Sequence, residues 1–475
     1  MITSMRMHAR QIVAISNRID LGIKMNYAET LLKLGYVPSE YYSDYLEHIK
    51  SFNSFKENLP KKNSPQDFIK AYNSLIQSIR KDGFNLKNEK IMLSKSGELI
   101  NGAHRVSVAA VLNLEIEVEL TDYDNEVYDF EFFQAKKLPQ HVLDNAALSQ
   151  LKLHPEMKLL LVWPVANKVS ETVIENLIAK KGIIFYKRAI LADPNLVLNL
   201  KMINYYMYQN NDSKNWTGDS TNSFSGIREH AKKSFADGSG EIKLYLVSKI
   251  SNVELIDLKK QLRDIVNAGN YAVHSSDSIE ESKDILQTIN HKSSLNCARF
   301  NDLTKFPKLA EWLSAFNGEI SQSGVDKNMI CIGGSGPLGA LGLRKINDLD
   351  VILNSSFKYL SNLSFVSNHD ISDFHYGSSL CEFILDPSKN FSFLGFRFIS
   401  LAELKTMKEL RNEIPKDSRD LKIINKFEQK IFKKNSRSML NRLKYFKAYW
   451  RLMYFLNLPR KTLQKIVYVL YSFKR

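Results

Sequence analysis

Apolar positions along this chain change their period several times, and each change marks an element. Ile12 to Leu34 and Phe68 to Ile79 carry helical spacing, so residues 1 to about 85 read as helices, with the polar, proline-bearing Asn53 to Pro65 as a loop between them. Next come the short run Lys90 to Leu93, the turn Ser96-Gly97-Glu98, the run Leu99 to Asn101, an Ala/Val-rich helix and a strand at Ile116 to Leu120. From about Lys152 to Asp302, predicted strands at Lys158–Trp163, Ile183–Tyr186, Ile242–Val247 and Tyr271–His274 alternate with predicted helices. Those helices lie at Glu171–Lys180, Ser225–Phe235, Leu255–Asn267 and Ile279–Ile289. Such alternation argues for an α/β unit.

Beyond Phe306, Leu309 to Phe316 predicts a helix that leads into a glycine-rich stretch, Gly333-Gly334-Ser335, and then into Asp348-Leu349-Asp350 before an apolar run. Side chains alternate along a strand, so Asp348 and Asp350 would share one side of it. Ser379 to Leu385 reads as an apolar strand carrying one acid, Glu382. Ser400 would cap a helix bearing Lys405, Lys408 and Arg411, with Lys416-Asp417-x-x-Asp420 following. Four segments result: 1–150, 151–305, 306–430 and a tail at 431–475. Together they predict a multidomain chain of α/β and α+β character.

A length of 475 residues exceeds one ordinary core, and 26 Phe with 21 Tyr favour packed units over disorder. The three cysteines, Cys297, Cys331 and Cys381, show no metal-ligand spacing, which with the absence of a long apolar run predicts a reduced, cytoplasmic setting. Charge is local. The chain carries +15, but Lys433 to Arg475 holds twelve Lys or Arg and no Asp or Glu, leaving 15 − 12 = +3 for the rest. In that tail, basic residues interleave with Leu440, Leu443, Tyr445, Phe446, Tyr449 and Trp450. This pattern suits an interfacial helix on an anionic membrane surface, with own-core packing and nucleic acid as rival partners.

The chemistry concentrates at the paired acids. Two carboxylates on one strand face suit Mg²⁺, a hard ion that keeps part of its shell for phosphate oxygens and water, and a Gly-Gly-Ser turn lets the backbone approach a phosphate. Gly334-Ser335, Gly342-x-Arg344 and Asp348-x-Asp350 in this order resemble the nucleotidyltransferase (polymerase-beta-like) motif over about a quarter of the chain. That resemblance implies a mixed sheet with helices. It also implies an ATP or CTP substrate held at Gly333, Gly334 and Ser335, Mg²⁺ on Asp348 and Asp350, and a supporting Arg344. A third carboxylate is expected from a neighbouring strand, with Glu382 the best candidate and Asp373 and Asp386 its competitors. Lys408 is a candidate to meet a triphosphate, with a plain helix-surface lysine as the alternative.

Separately, the order strand, turn, Gly102-x-His104-Arg105, helix, strand resembles the ParB/sulfiredoxin-like fold, whose equivalent box binds nucleotide phosphates at a helix amino terminus. The physics supports an anion there independently: free N–H groups, the helix dipole and a bidentate guanidinium converge. Relatives of that fold include DNA-bound nucleotide switches, nucleases and a kinase; no cysteine occupies the box, against sulfiredoxin chemistry. In the central segment, Arg228, His230, Lys259, Arg263 and His274 fall at element ends, with Ser276 or Asp277 as a helix cap, and their cationic character suggests another phosphate-bearing ligand. The resulting expectation is a Mg-dependent nucleotidyl- or phosphoryl-transferase, peripheral to a membrane and acting on a hydroxyl or phosphorylated acceptor such as a surface polysaccharide or lipid-linked species. The alternative is a ParB-like nucleic-acid binding regulator with an inactive nucleotidyltransferase-like domain.

Overall fold

The structure, a computed structural model, describes residues 3–58, 60–84, 91–122, 127–208, 214–235, 240–353, 362–370 and 376–430. The chain divides into two compact units, Met1–Leu404 and Lys405–Arg475. The first is a mixed α/β body containing three larger sheets.

Its first part runs β1 (Thr3–His8), α1 (Ala9–Ile15), α2 (Asp20–Leu34), α3 (Ser39–Asn53), the two-residue strands β2 (Glu57–Asn58) and β3 (Lys61–Lys62), and α4 (Pro65–Asp82). It continues through β4 (Ile91–Ser94), β5 (Leu99–Asn101), α5 (Ala103–Val111), β6 (Glu115–Thr121), α6 (Phe130–Ala135) and α7 (Gln140–Leu151). The helical reading of the first residues missed β1, which pairs antiparallel with β6 and forms the edge of the sheet β1-β6-β4-β5. Its Met5 and Met7 alternate with Arg6 and His8, a pattern too short and too polar to announce a strand before its partner is known. α4 shows why the helices were legible. Ser64 and Asp67 form a capping box, Pro65 sits at the first helical position, and Phe68, Tyr72, Ile76 and Ile79 make one buried stripe.

The second part follows the predicted alternation closely: β7 (Lys158–Val162), α8 (Glu171–Ala179), β8 (Ile183–Leu191), α9 (Pro194–Met202), α10 (Lys214–Thr217) and α11 (Ser225–Phe235). After these come β9 (Glu241–Ser248), α12 (Asn252–Val266), β10 (Val273–Ser275), α13 (Ile279–Asn290) and α14 (Lys292–Phe300). The sheet order is β10-β7-β9-β8, and every pair is antiparallel. Neighbouring strands are antiparallel, yet β7 and β8, both antiparallel to β9, run parallel to each other, as do β9 and β10, both antiparallel to β7; α8 and α12 thus cross between parallel strands that have another strand inserted between them. Leu160, Val162, Tyr245, Val247, Leu258 and Leu262 join sheet and helices in one core.

The third part holds α15 (Lys308–Ser323), β11 (Cys331–Ile332), α16 (Gly336–Ala340), β12 (Leu349–Leu353), β13 (Val366–Asp370), α17 (Leu380–Leu385), β14 (Asn390–Phe393) and β15 (Phe396–Ile399). These strands form a mixed sheet in the order β13-β12-β11-β15-β14. α18 (Leu401–Arg411) opens with Ser400 accepting the Glu403 N–H, at the boundary of the second unit, where residues 416–430 are also helical.

One expected strand is a helix. Ser379-x-x-Glu382 is a capping box, with both reciprocal hydrogen bonds present, and Leu380 and Phe383 are buried at helical spacing in α17. Leu380 and the three successive apolar residues Phe383–Leu385 mimic a strand only if the cap is overlooked. No described helix is long and apolar enough to cross a membrane. The basic tail at 433–475 lies outside the described residues, as does Asp373.

Candidate functional site

Antiparallel pairing of Cys331 with Ile352 and Ile332 with Val351 delivers the glycine turn directly onto the second acid. Leu349 and Val351 are fully buried on one face of β12, so Asp350 takes the other, and Asp348 lies just before the strand. Gly333 donates its N–H to the Asp350 carbonyl at 2.8 Å, and Ser335 donates to Asp350 Oδ2 at a long 3.4 Å. Gly334 has φ +53°, and a Cβ there would occupy the space of the Asp350 carboxylate. A Cβ on Gly333 would meet Ile352 and the Tyr376 hydroxyl. Both glycines are thus demanded by close approach, and the turn named from the sequence does lie against one acid of the pair.

The turn has a further partner that no sequence motif announces. The Tyr376 hydroxyl accepts the Gly334 N–H at 2.9 Å, and its ring packs edge-on against Phe383 of α17 at 5.3 Å. Each amide of Gly333, Gly334 and Ser335 therefore already has an acceptor within the protein. The Ser335 bond is the weakest of the three by length.

Other expected members of this site are elsewhere engaged. Glu382 caps α17, accepts from Lys389 at 2.7 Å and from Tyr36 at 3.0 Å. Although partial burial opposes its charge, those bonds hold its carboxyl down at about 2. Asp386 accepts from the Ser388 hydroxyl and amide. Among the described residues, no group of three or more His, Cys, Asp or Glu is placed to hold a metal ion. Asp348 and Asp350 carry hard oxygen donors of the kind Mg²⁺ takes, and the remaining positions of such an ion would fall to other oxygen donors such as phosphate and water. Arg344 donates to the Lys345 carbonyl at 3.1 Å.

Lys408 is not a triphosphate ligand in this arrangement. Its ammonium is 1% exposed and lies 3.2 Å from Asp417 and 2.8 Å from Asp420, with Arg411 also on Asp417 at 2.6 Å. The two acids of Lys416-Asp417-x-x-Asp420 thus belong to a buried ion-pair network with Lys408 and Arg411 in the second unit, while Lys416 itself is half exposed.

The amino-terminal box opens onto space. A cleft of about 740 Å³ is lined by Gly102, His104 and Arg105 together with Tyr45, Lys62, Tyr72 and Glu119. Gly102, at φ +93°, caps α5 and sits over the Arg105 guanidinium, whose Nη2 and Nε a Cβ would approach to 3.3 and 3.4 Å. Arg105 is 7% exposed, so its planar head is held by packing rather than waving in solvent. His104 bonds the Tyr45 hydroxyl at 3.0 Å and meets the edges of Tyr45 and Tyr72. Burial, then the charges of Lys24 and His48, push its imidazole well below the ordinary histidine range, which makes it a neutral wall of the cleft.

In the central segment, the helix α13 is capped by Ser278, not by Ser276 or Asp277. Ser276 instead bonds Ser282, and the Asp277 amide donates to Glu281. His274 pairs with Glu281 at 2.7 Å. Arg228 lies exposed on α11. No protein-family model matches this chain, and neither the curated proteins nor the solved structures contain a match.

Proposed function

We propose that this chain transfers a nucleotidyl or phosphoryl group from a nucleoside triphosphate at the turn Gly333–Ser335. The observation that carries this reading is the seating of the Asp350 carboxylate against Gly334, which joins a glycine turn to the second acid of the Asp348-x-Asp350 pair. Asp348 and Asp350 would hold Mg²⁺, and Gly334 and Ser335 would turn their N–H groups toward phosphate oxygens once Tyr376 and the long Asp350 contact give way. Bound there, Mg²⁺ would neutralise charge on the phosphates.

The cleft beside Gly102, His104 and Arg105 supports a second phosphate-bearing ligand on the same chain. A neutral His104 and a packed Arg105 suit an anion that is gripped by a bidentate pair rather than one that gains or loses a proton on binding.

The test is incubation of the full chain with each nucleoside triphosphate and Mg²⁺, comparing the wild type with Asp348→Asn, Asp350→Asn and Arg105→Ala. Pyrophosphate release lost in both aspartate variants supports nucleotidyl transfer, and nucleoside diphosphate lost in both supports phosphoryl transfer. Absence of product and of nucleotide binding in the wild type overturns the proposal.

A further inference from the structure

A second constellation lies at the end of the central sheet where β7 finishes and β10 begins, joined by the Trp163 N–H to the Ala272 carbonyl at 2.9 Å. Its centre is Lys201 on α9. The side chain is fully buried, and its ammonium stands 3.9 Å from the Trp163 ring centroid and 5.3 Å from that of Tyr205. Among the described residues it has no hydrogen-bond partner. Lysine is almost never buried without an acid, because removing an ammonium from water is costly unless a counter-charge restores the lost solvation. Here the neighbouring charge is of the same sign, and burial together with Arg263 lowers the amine well below the usual lysine range.

The orphaned atoms around it share a character. Among the described residues, Lys201 Nζ, Arg263 Nε and Trp163 Nε1 are all buried donors without an acceptor. Glu281 does not fill the gap: its oxygens bond His274 and the Asp277 amide, and it makes no hydrogen bond or ion pair to Lys201 or Arg263. What this group of donors lacks is an acceptor of negative charge.

Aromatic faces surround the same place. Tyr205 lies 5.4 Å from Trp216 and 5.0 Å from His230, and His230 lies 4.7 Å from Tyr271. Trp216 is 41% exposed and marks the open side. His230 is held at about 3 by burial and then by the charge of Lys201, so it presents a neutral ring with an unpartnered Nδ1. Directly after α9, Ile203–Met207 form a π-helical turn, a local distortion that re-aims Tyr205 and is common at functional sites.

We infer that this constellation binds an oxyanion carried on a planar ring, a phosphorylated or carboxylated aromatic ligand. The anion meets Lys201 and Arg263, and the ring lies among Tyr205, Trp216, His230 and Tyr271. Such a site is independent of the transferase reading, because it uses no residue of the glycine turn or the paired acids.

Intrinsic tryptophan fluorescence and thermal shift of the full chain, recorded without Mg²⁺, provide the test. The probes are phenyl phosphate, a nucleoside monophosphate, benzoate and inorganic phosphate, and the variants are Lys201→Met, Arg263→Gln and the double variant Asp348→Asn/Asp350→Asn. Saturable binding of at least one ring-bearing probe is expected in the wild type and in the double aspartate variant. Lys201→Met and Arg263→Gln should each weaken it by roughly tenfold or more, the size of a lost charge-assisted hydrogen bond. Lys201→Met should also raise the melting temperature of the ligand-free chain, since a long apolar side chain replaces a buried amine that has no hydrogen-bond partner. Absence of saturable binding by every probe, or unchanged affinity in both Lys201→Met and Arg263→Gln, overturns the site. Loss of binding in the double aspartate variant assigns the ligand to the other centre and overturns it too, and inorganic phosphate binding as tightly as any ring-bearing probe overturns the part played by the aromatic faces.

Discussion

The Asp350 carboxylate occupies the space that a side chain at Gly334 would need. This contact couples a strained backbone position to an acidic side chain, so the two cannot vary independently. Gly334→Ala would meet both the left-handed φ of +53° and the carboxylate, whereas Gly324→Ala meets a similar φ of +69° in open space. The second substitution should cost about 1 kcal/mol, the usual penalty for a β-carbon in that conformation. The first should cost distinctly more and should weaken Mg-dependent nucleotide binding. Denaturant midpoints and nucleotide titrations of the pair check this; equal costs and unaltered binding would show that Asp350 moves aside freely.

Tyr376 holds the Gly334 amide that a phosphate would use. Tyr376→Phe keeps the ring against Phe383 but frees that N–H, so nucleotide affinity should rise by a few-fold, with stability falling by about 1 kcal/mol for the lost hydrogen bond. A fall in affinity instead would mean that the hydroxyl belongs to the binding surface.

Lys408 is enclosed by Asp417 and Asp420 at 1% exposure. Burial opposes charge on Asp417, but the bonds from Arg411, the Glu413 amide and Lys408 outweigh it and hold that carboxyl well below the usual range. The sign follows: the stabilisation is present above the ordinary carboxylate value and disappears as pH falls through the acid range. Lys408→Met removes the cation that lies between two buried acids, of which Asp417 keeps Arg411, and should destabilise the second unit by about 3–5 kcal/mol. Thermal melts at neutral pH measure the loss. An undiminished melting temperature with weakened triphosphate binding would restore Lys408 as a ligand.

Asp44 gives the opposite pH dependence. Burial raises its carboxyl to about 7, despite the hydrogen bond from Asn145 and with Glu40 and Asp144 adding repulsion. The folded chain therefore keeps a proton that the unfolded chain releases, and this group costs stability increasingly as pH rises from about 4 toward 7. Asp44→Asn still accepts from Asn145 and carries no charge, so its advantage in melting temperature over the wild type should widen between pH values of about 5 and 8. A constant difference would show that Asp44 does not titrate there.

Local order in the sequence determined most of the elements, because caps and apolar periods act between residues a few positions apart. The box Ser251–Glu254 ahead of Leu255, Leu258, Leu262 and Val266 specifies α12 with no help from the rest of the fold. The same grammar was legible at Gly333–Ser335 and at Gly102–Arg105, where glycine announces a close approach. Tertiary structure decided what those pieces meet. β1 becomes a strand only because β6 lies beside it, and Glu382 turns to Lys389 and Tyr36 because α17 aims it there. Lys201 shows the limit most plainly. In the sequence it is one lysine in an apolar helix; only packing from α9, β7 and α12 encloses it with Trp163 and Arg263, since burial is a sum over distant segments that no local spacing encodes.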